Sequence, residues 1–285
     1  MASRPRRRSG CASFVFLAIL AVVAGIAFAV WKGIGPLPDP EGCSASVAGH
    51  DLSLASDQAD NATLIAAIGV RRGLPARAGS IALATAYQES KIRNLTSGDR
   101  DSLGLFQQRP SQGWGTPQQI LDRSYSINSF YDALAKVSGY ESMRITEAAQ
   151  LVQHSGYPEA YEAHAADARA LASALTGYSP HAFTCVVHDR TSRSTAAALV
   201  DAIRGAYGDV GAARTGSRQD VRIPASGAAG NTLGWSVADY LLGHAGELGV
   251  REISFDGRVW KIGRTSEKGW LPAAASSSEV LVSLG

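Results

Sequence analysis

An uncharged and largely apolar run near the N-terminus is the clearest pattern in the chain. It extends from Cys11 to Trp31, and four arginines precede it within the first eight residues. A run of this length is enough for one helix to cross a bilayer, and the preceding positive charge predicts that residues 1–10 lie in the cytoplasm. We therefore expect a transmembrane anchor over 11–31 and an extended linker over 32–42, which is rich in Pro and Gly. The alternative is a signal peptide cleaved after the Ala27–Ala29 stretch, which would leave a secreted protein.

Between Cys43 and Cys185 the apolar residues recur mainly at helical spacing. Thr116, Pro117 and Gln119 predict a capped helix start. No strand is predicted in this half, so the fold expected for residues 43–187 is mainly α. The predicted helical segments are DNATLIAAIGVRRG, PARAGSIALATAYQESKI, GTPQQIL, YSINSFYDALAKVSG, TEAAQLVQHSG and PEAYEAHAADARALASALTG, the last beginning at Pro158.

The pattern changes after residue 187. TAAALVDAIRGAYG and GWSVADYLLGHAGELG predict helices, and the loop between them contains one short predicted strand. The residues on both sides of Asp256-Gly257 alternate as in a β-hairpin, and EVLVSL predicts a last strand. Residues 188–285 are therefore expected to form a small α+β module. Its large aromatic residues are either core or a carbohydrate-stacking surface: Trp235, Tyr240, Trp260 and Trp270.

Charge and cysteine content narrow the function classes. The formal net charge of +2 gives no global attraction to nucleic acid, so no nucleic-acid partner is expected. Anchoring and signal cleavage would both export the rest of the chain, into a compartment that permits a disulfide between Cys43 and Cys185. Metal binding by Cys185 with His181 and His188 is the alternative, but the spacing matches no strong zinc pattern. We expect no metal and no cofactor.

Glu89 interrupts an alanine-rich apolar helix. Ala82 and Ala86 precede it on the same helical face, and a polar turn with the sequence SLGLFQQ follows. A carboxyl group on an apolar, partly enclosed wall holds its proton more firmly than one in water, and it can then protonate a glycosidic oxygen as that oxygen leaves. From the residues alone, a surface acid beside Lys91 or Arg93 is the alternative.

The pair Glu89-Ser90, followed by Gly104-Leu105-Phe106-Gln107, resembles the signature of the soluble lytic transglycosylases and goose-type lysozymes, with Phe in the Met position. The run DRDSLGLFQQRPSQGWGTPQQI is similar to a group of actinobacterial secreted or membrane-anchored proteins with a lysozyme-like domain. The resemblance covers roughly Cys43 to Cys185. It implies that Glu89 is the catalytic acid. The residues that it implies for positioning or substrate binding are Ser90, Gly104, Leu105, Phe106, Gln107, Gln108 and either Tyr157 or Tyr161.

The resemblance implies cleavage of the glycan strand of peptidoglycan between muramic acid and glucosamine. A hydrolase would need a second carboxylate, for which Asp99 and Asp101 are the candidates. A lytic transglycosylase needs none, because the muramyl 6-hydroxyl attacks internally, and this outcome is mildly favoured. The expected partners are peptidoglycan and the membrane. A non-catalytic wall-binding scaffold is the remaining alternative, and a salt bridge from Glu89 to Arg93 or Arg109 would favour it.

Overall fold

The computed structural model describes residues 10–31, 38–157, 159–189, 193–215 and 220–284. The chain divides into two compact units, Met1–Asp39 and Pro40–Gly285. The helices are α1 Gly10–Trp31, α2 Ser56–Arg71, α3 Ala76–Ser90, α4 Pro117–Leu121, α5 Arg123–Leu134, α6 Ile145–Gln153, α7 Ala165–Leu175, α8 Ala196–Tyr207 and α9 Gly227–Gly243. The strands are β1 Gly42–Val47, β2 His50–Leu54, β3 Phe183–Val186, β4 Ala213–Thr215, β5 Asp220–Pro224, β6 Val250–Phe255, β7 Arg258–Lys261, β8 Leu271–Pro272 and β9 Glu279–Leu284. Within these ranges, 3-10 turns span Pro110–Gln112, Ala160–His164 and Gly263–Lys268.

The first unit contains helix α1. Its side chains are described over 14–29 and at Trp31. Within the described residues, no helix combines the length and the apolar character that a membrane crossing requires. The expected transmembrane helix over 11–31 is corrected accordingly. The basic tail, residues 32–37 of the predicted linker and Pro158 lie outside the described residues.

The expectation of a mainly α fold is also wrong, because the structure is 50% helix and 18% strand and its described residues form two antiparallel sheets. The smaller sheet lies in the half for which no strand was predicted, and its order is β2-β1-β3. Strands β1 and β2 form a hairpin around Ala48 and Gly49, both with positive φ. These strands are short and rich in small polar residues, so their pattern does not stand out from loop sequence.

Strand β3 returns to pair with β1 from the far end of the helical half. This pairing places Cys43 directly opposite Cys185, and the two are joined in a disulfide with an S–S distance of 2.04 Å. The predicted disulfide is thus present, and Cys185 has its sulfur in that bond. The disulfide closes the helical half at its two ends.

Helix α3 is the central helix of this half and packs against α2, α6 and α7. Ala82, Ala84 and Ala86 are each 0% exposed, since small side chains allow neighbouring helices to approach on every side. A helix that is apolar all round is expected to be buried. The polar residues at its C-terminal end, from Gln88 onward, are therefore held in a rigid setting.

The larger sheet has six strands in the order β4-β5-β9-β6-β7-β8. The predicted hairpin is confirmed, with Asp256 and Gly257 both at positive φ between β6 and β7. The predicted last strand is confirmed as β9, while the loop expected to hold one strand holds both β4 and β5. Helix α9 packs on this sheet and also on α2 and α7, so it joins the sheet to the helical half.

Aromatic residues of the C-terminal part are core residues. Trp235 and Trp260 are 0% exposed and Tyr240 is 5% exposed, so they form no stacking surface. The indole N–H of Trp260 donates to the carbonyl of Cys185 at 2.9 Å, and that of Trp270 donates to the carbonyl of Phe183 at 2.9 Å. Strand β3 is thereby hydrogen-bonded to residues that follow position 187 as well as to strand β1. The domain boundary at residue 187 stays a prediction.

Candidate functional site

Glu89 lies one residue before the end of α3, where Lys91 adopts the left-handed conformation and stops the helix. Its side chain is half-buried. The hydroxyl of Tyr161 donates a hydrogen bond to Oε1 of Glu89 at 2.7 Å. Tyr161 itself is 0% exposed, so a fixed phenol holds one oxygen of a carboxyl group whose side chain still reaches solvent.

The protonation of Tyr161 follows from its surroundings. Burial raises the pKa of Tyr161, and the charge of Glu89 and the hydrogen bond to it raise that pKa further. The phenol therefore keeps its proton across the physiological range and serves as a permanent donor. A short O–H bond to a carboxylate is among the stronger hydrogen bonds in proteins.

Ser90 ties the end of α3 to the second sequence motif. Its Oγ lies 2.7 Å from the carbonyl oxygen of Leu105 and 3.0 Å from that of Ala86, and it accepts a bond from the backbone N–H of Arg93 at 3.1 Å. Ser90 is only 5% exposed. It is therefore placed to position Glu89 against the turn that contains Leu105, and it is not placed to contact a ligand.

The second motif forms a tight turn closed by backbone bonds. Leu103 and Gln108 exchange two N–H···O bonds of 2.9 Å, and the N–H of Gly104 donates to the carbonyl of Leu95 at 2.8 Å. Gly104 has a φ of +77°, and a Cβ there would lie 2.9 Å from the carbonyl oxygen of Ile120. Glycine at position 104 is thus required by both conformation and space.

Most side chains of this turn point inward. Leu105 and Phe106 are 0% exposed and Gln108 is 1% exposed. Phe106 stacks on Phe130 with ring centroids 4.4 Å apart, and Gln108 donates to the carbonyl of Ser126 at 3.2 Å. These three side chains support the turn from within, and the expected role of their residues in substrate binding stays a prediction.

Gln107 differs from its neighbours. Its side chain is half-buried and its φ is +47°. A Cβ on Gly98 would overlap its amide oxygen, so Gly98 makes the room that this amide occupies. From outside the turn, Gln153 of α6 donates to the carbonyl of Phe106 at 2.8 Å. Gln107 is therefore the only side chain of Leu105–Gln107 that is not fully buried, and its amide N–H donates to the carbonyl of Gly104 at 3.3 Å.

The two candidate second carboxylates have other surroundings. Oδ1 of Asp101 accepts from Arg109 at 2.7 Å, and Oδ2 accepts from the backbone N–H of Ser111 at 2.8 Å. The Arg109 bond and then the Ser111 bond hold the pKa of Asp101 well below its usual range. The side chain of Asp99 is 94% exposed and lies 3.9 Å from Arg100. Asp101 is thus part of the loop's structure, and Asp99 projects into water.

The two candidate tyrosines are distinguished by their exposure. Tyr157 is 78% exposed, and the structure brings Tyr161, not Tyr157, into hydrogen-bond contact with Glu89. The nearby cations are engaged elsewhere, since Arg93 pairs with Asp57 at 2.8 Å and Arg109 pairs with Asp101. Neither arginine neutralises Glu89.

Two residues of this site were not identified from the sequence. Nε2 of His164 lies 2.9 Å from Oε1 of Gln88, and the ring of His164 stacks on that of Tyr87 with centroids 4.6 Å apart. Gln88 precedes Glu89 directly, and His164 follows Tyr161 by three residues. A three-residue spacing places two side chains on the same side of a 3-10 turn, and this was the signal in the sequence that could have identified His164. The segment was instead predicted to be α-helical.

Cavities of 210 Å³ near the start of α2 and 220 Å³ on the six-stranded sheet lie elsewhere in this unit, and Glu89 lines neither. Among the described residues, no group of three or more His, Cys, Asp or Glu side chains could hold a metal ion.

A family model matches the C-terminal part of the chain. The model is described as "VldE, C-terminal domain" and matches residues 181–280, from just before β3 into the start of β9. The match covers about a third of the chain and does not reach the segment from Glu89 to Gln108. No curated protein matches the chain. The resemblance to lysozyme-like enzymes rests on the two sequence motifs.

Proposed function

We propose that this protein cleaves the glycan strand of peptidoglycan, with Glu89 as the general acid. The observation that carries the proposal is the hydrogen bond from the buried Tyr161 hydroxyl to the half-exposed Glu89 carboxyl. A carboxyl group at the end of a rigid helix, oriented by a fixed donor and open on one side, suits proton transfer to a leaving oxygen. The motifs at 89–90 and 104–107 supply the substrate class.

The proposed reaction assigns a different task to each group. Glu89 protonates the bridging glycosidic oxygen as the bond from that oxygen to the anomeric carbon of muramic acid breaks, so the next sugar leaves with a free hydroxyl. The resulting carboxylate then accepts the proton of the muramyl 6-hydroxyl as the 6-oxygen bonds to the anomeric carbon of its own sugar. The Tyr161 hydroxyl favours the carboxylate formed after the first step, since hydrogen bonds to charged acceptors are the stronger ones. The bond from the Ser90 hydroxyl to the carbonyl of Leu105 holds the two motifs together.

We favour a lytic transglycosylase over a hydrolase because of the surroundings of the two aspartates. Both oxygens of Asp101 are occupied, by Arg109 and by the N–H of Ser111. The exposed Asp99 lacks the enclosed setting in which a carboxylate would direct a water molecule. A mechanism with one carboxyl group therefore fits these residues better than one with two.

An exported location is part of the proposal. The disulfide between Cys43 and Cys185 supports it, since such bonds persist mainly in oxidising compartments outside the cytoplasm. The proposed substrate is found in that environment.

The test is digestion of purified cell wall, with mass analysis of the released fragments. We expect anhydro-muramyl ends from the wild-type protein and none from Glu89→Gln, whose amide has the same shape but does not donate the proton. Glu141→Gln, which changes an exposed acid, is the matched control and should behave as wild type. Reducing ends would indicate a hydrolase. Activity of Glu89→Gln at the wild-type level, or no fragments from the wild type, would refute the proposal.

A further inference from the structure

One 3-10 turn contacts two consecutive residues at the end of α3. From the turn Ala160–His164, Tyr161 bonds to Glu89 and His164 bonds to Gln88. Side chains three residues apart on a 3-10 turn lie on the same side. The turn therefore contacts α3 at two adjacent residues, the candidate acid Glu89 and Gln88 immediately before it.

His164 is fixed by more than its hydrogen bond. Its ring stacks on Tyr87 with a tilt of 36°. Burial lowers the pKa of His164, the charge of Lys91 lowers it further, and Asp167 acts in the opposite direction with a smaller effect. The imidazole is thus neutral near pH 7, and with the proton on Nε2 it donates to Oε1 of Gln88.

The opposite side of the turn is held weakly. There Arg144 pairs with Glu159 at 2.9 Å and with Glu162 at 3.3 Å, and all three side chains are about half exposed or more. Exposed ion pairs of this kind contribute little to stability. The half-buried contacts of His164 are better placed to fix the rotation of the turn about its own axis, and that rotation sets where the Tyr161 hydroxyl lies.

We propose that His164 is a positioning residue for Glu89, acting by holding the Tyr161 hydroxyl against the carboxyl group. This inference rests on the proposed function, in which Glu89 is the general acid. His164 contacts Gln88 and Tyr87, and its effect on the reaction passes through Tyr161.

A double-mutant cycle tests this route. His164→Ala should lower kcat for wall cleavage by about tenfold or more with KM nearly unchanged, because small displacements of catalytic groups are costly. In a Tyr161→Phe background the same change should cost less than about twofold, since coupled residues are not additive. His164→Gln, whose amide can still donate to Gln88, should recover part of the rate. His181→Ala, which changes an exposed histidine, is the matched control and should leave the rate unchanged.

A second measurement does not depend on activity. With tyrosine labelled at ¹³Cζ, the Tyr161 resonance is assigned from its loss in Tyr161→Phe. At pH 7 this resonance should move in His164→Ala towards its position in Glu89→Ala, in which the phenol has lost its acceptor, and in His181→Ala it should not move. An unmoved Tyr161 resonance, or an equal kcat loss in both backgrounds, would overturn the inference. If the wild-type protein cuts no wall, the proposed function fails, and the Tyr161 resonance alone decides whether His164 holds Tyr161.

Discussion

Asp239 should make the stability of the protein fall with rising pH. This residue of α9 is 0% exposed, and neither of its carboxyl oxygens has a hydrogen-bond partner among the described residues. Burial raises the pKa of Asp239 well above its ordinary value of 3.8. The folded protein therefore keeps the Asp239 proton at pH values where the unfolded chain has lost it.

The sign and size of the effect follow from this difference. Above pH 3.8 the unfolded chain binds fewer protons at this site than the folded protein, so the free energy of unfolding decreases as pH rises. The decrease is about 1.4 kcal/mol per pH unit until the folded-state pKa is reached.

Urea unfolding of wild type and Asp239→Asn at pH 5, 6 and 7 measures this directly. The asparagine keeps the shape and does not ionise, so the variant should gain stability over wild type by about 1.4 kcal/mol per unit. Subtracting the wild-type free energy of unfolding from that of Asp239→Asn at each pH removes the contribution of the other titrating groups. Asp201→Asn, which changes a side chain that is 73% exposed, should show little slope. An Asp239→Asn difference that does not change with pH would refute the argument.

Two further predictions concern the covalent and steric constraints of the helical half. Loss of the disulfide in Cys43→Ser should lower the free energy of unfolding by about 5 kcal/mol in the chain-entropy model, because the bond closes a loop with a sequence separation of 142. Chemical denaturation with and without reductant measures this free energy. A difference below about 1 kcal/mol would contradict the prediction. Gly104→Ala should lower the free energy of unfolding by about 1–3 kcal/mol more than Gly113→Ala does. Both glycines have positive φ, but only a Cβ at position 104 meets the carbonyl oxygen of Ile120. Equal melting temperatures for the two variants would show that the contact with Ile120 relaxes freely.

Local signals in the sequence predicted the elements that depend on local chemistry. The capping box of Thr116 and Gln119 is present as expected, because both bonds lie within four residues. The hairpin at Asp256-Gly257 also forms, since the turn itself demands those residue types. Such signals need no knowledge of the rest of the chain.

Features that depend on contacts between distant residues could not be predicted from local sequence signals. Strands β1 and β2 are stabilised by β3, which lies at the other end of the helical half, so their own short sequences predict little. The choice between Tyr157 and Tyr161 could not be made from the sequence either. Only the packing of the turn Ala160–His164 against α3 brings Tyr161 to Glu89, and the same packing makes His164 relevant.

Strand β3 has a consequence for the exchange of segments between proteins. The match to the VldE C-terminal domain begins at residue 181 and so includes Cys185, but the disulfide partner of Cys185 is Cys43, outside the matched segment. Recombination that transplanted residues 181–280 into another chain would carry one reactive thiol into the new host and leave another behind. Natural shuffling of this segment should therefore be constrained by thiol chemistry, and a viable hybrid would need either a cysteine opposite position 185 or its replacement.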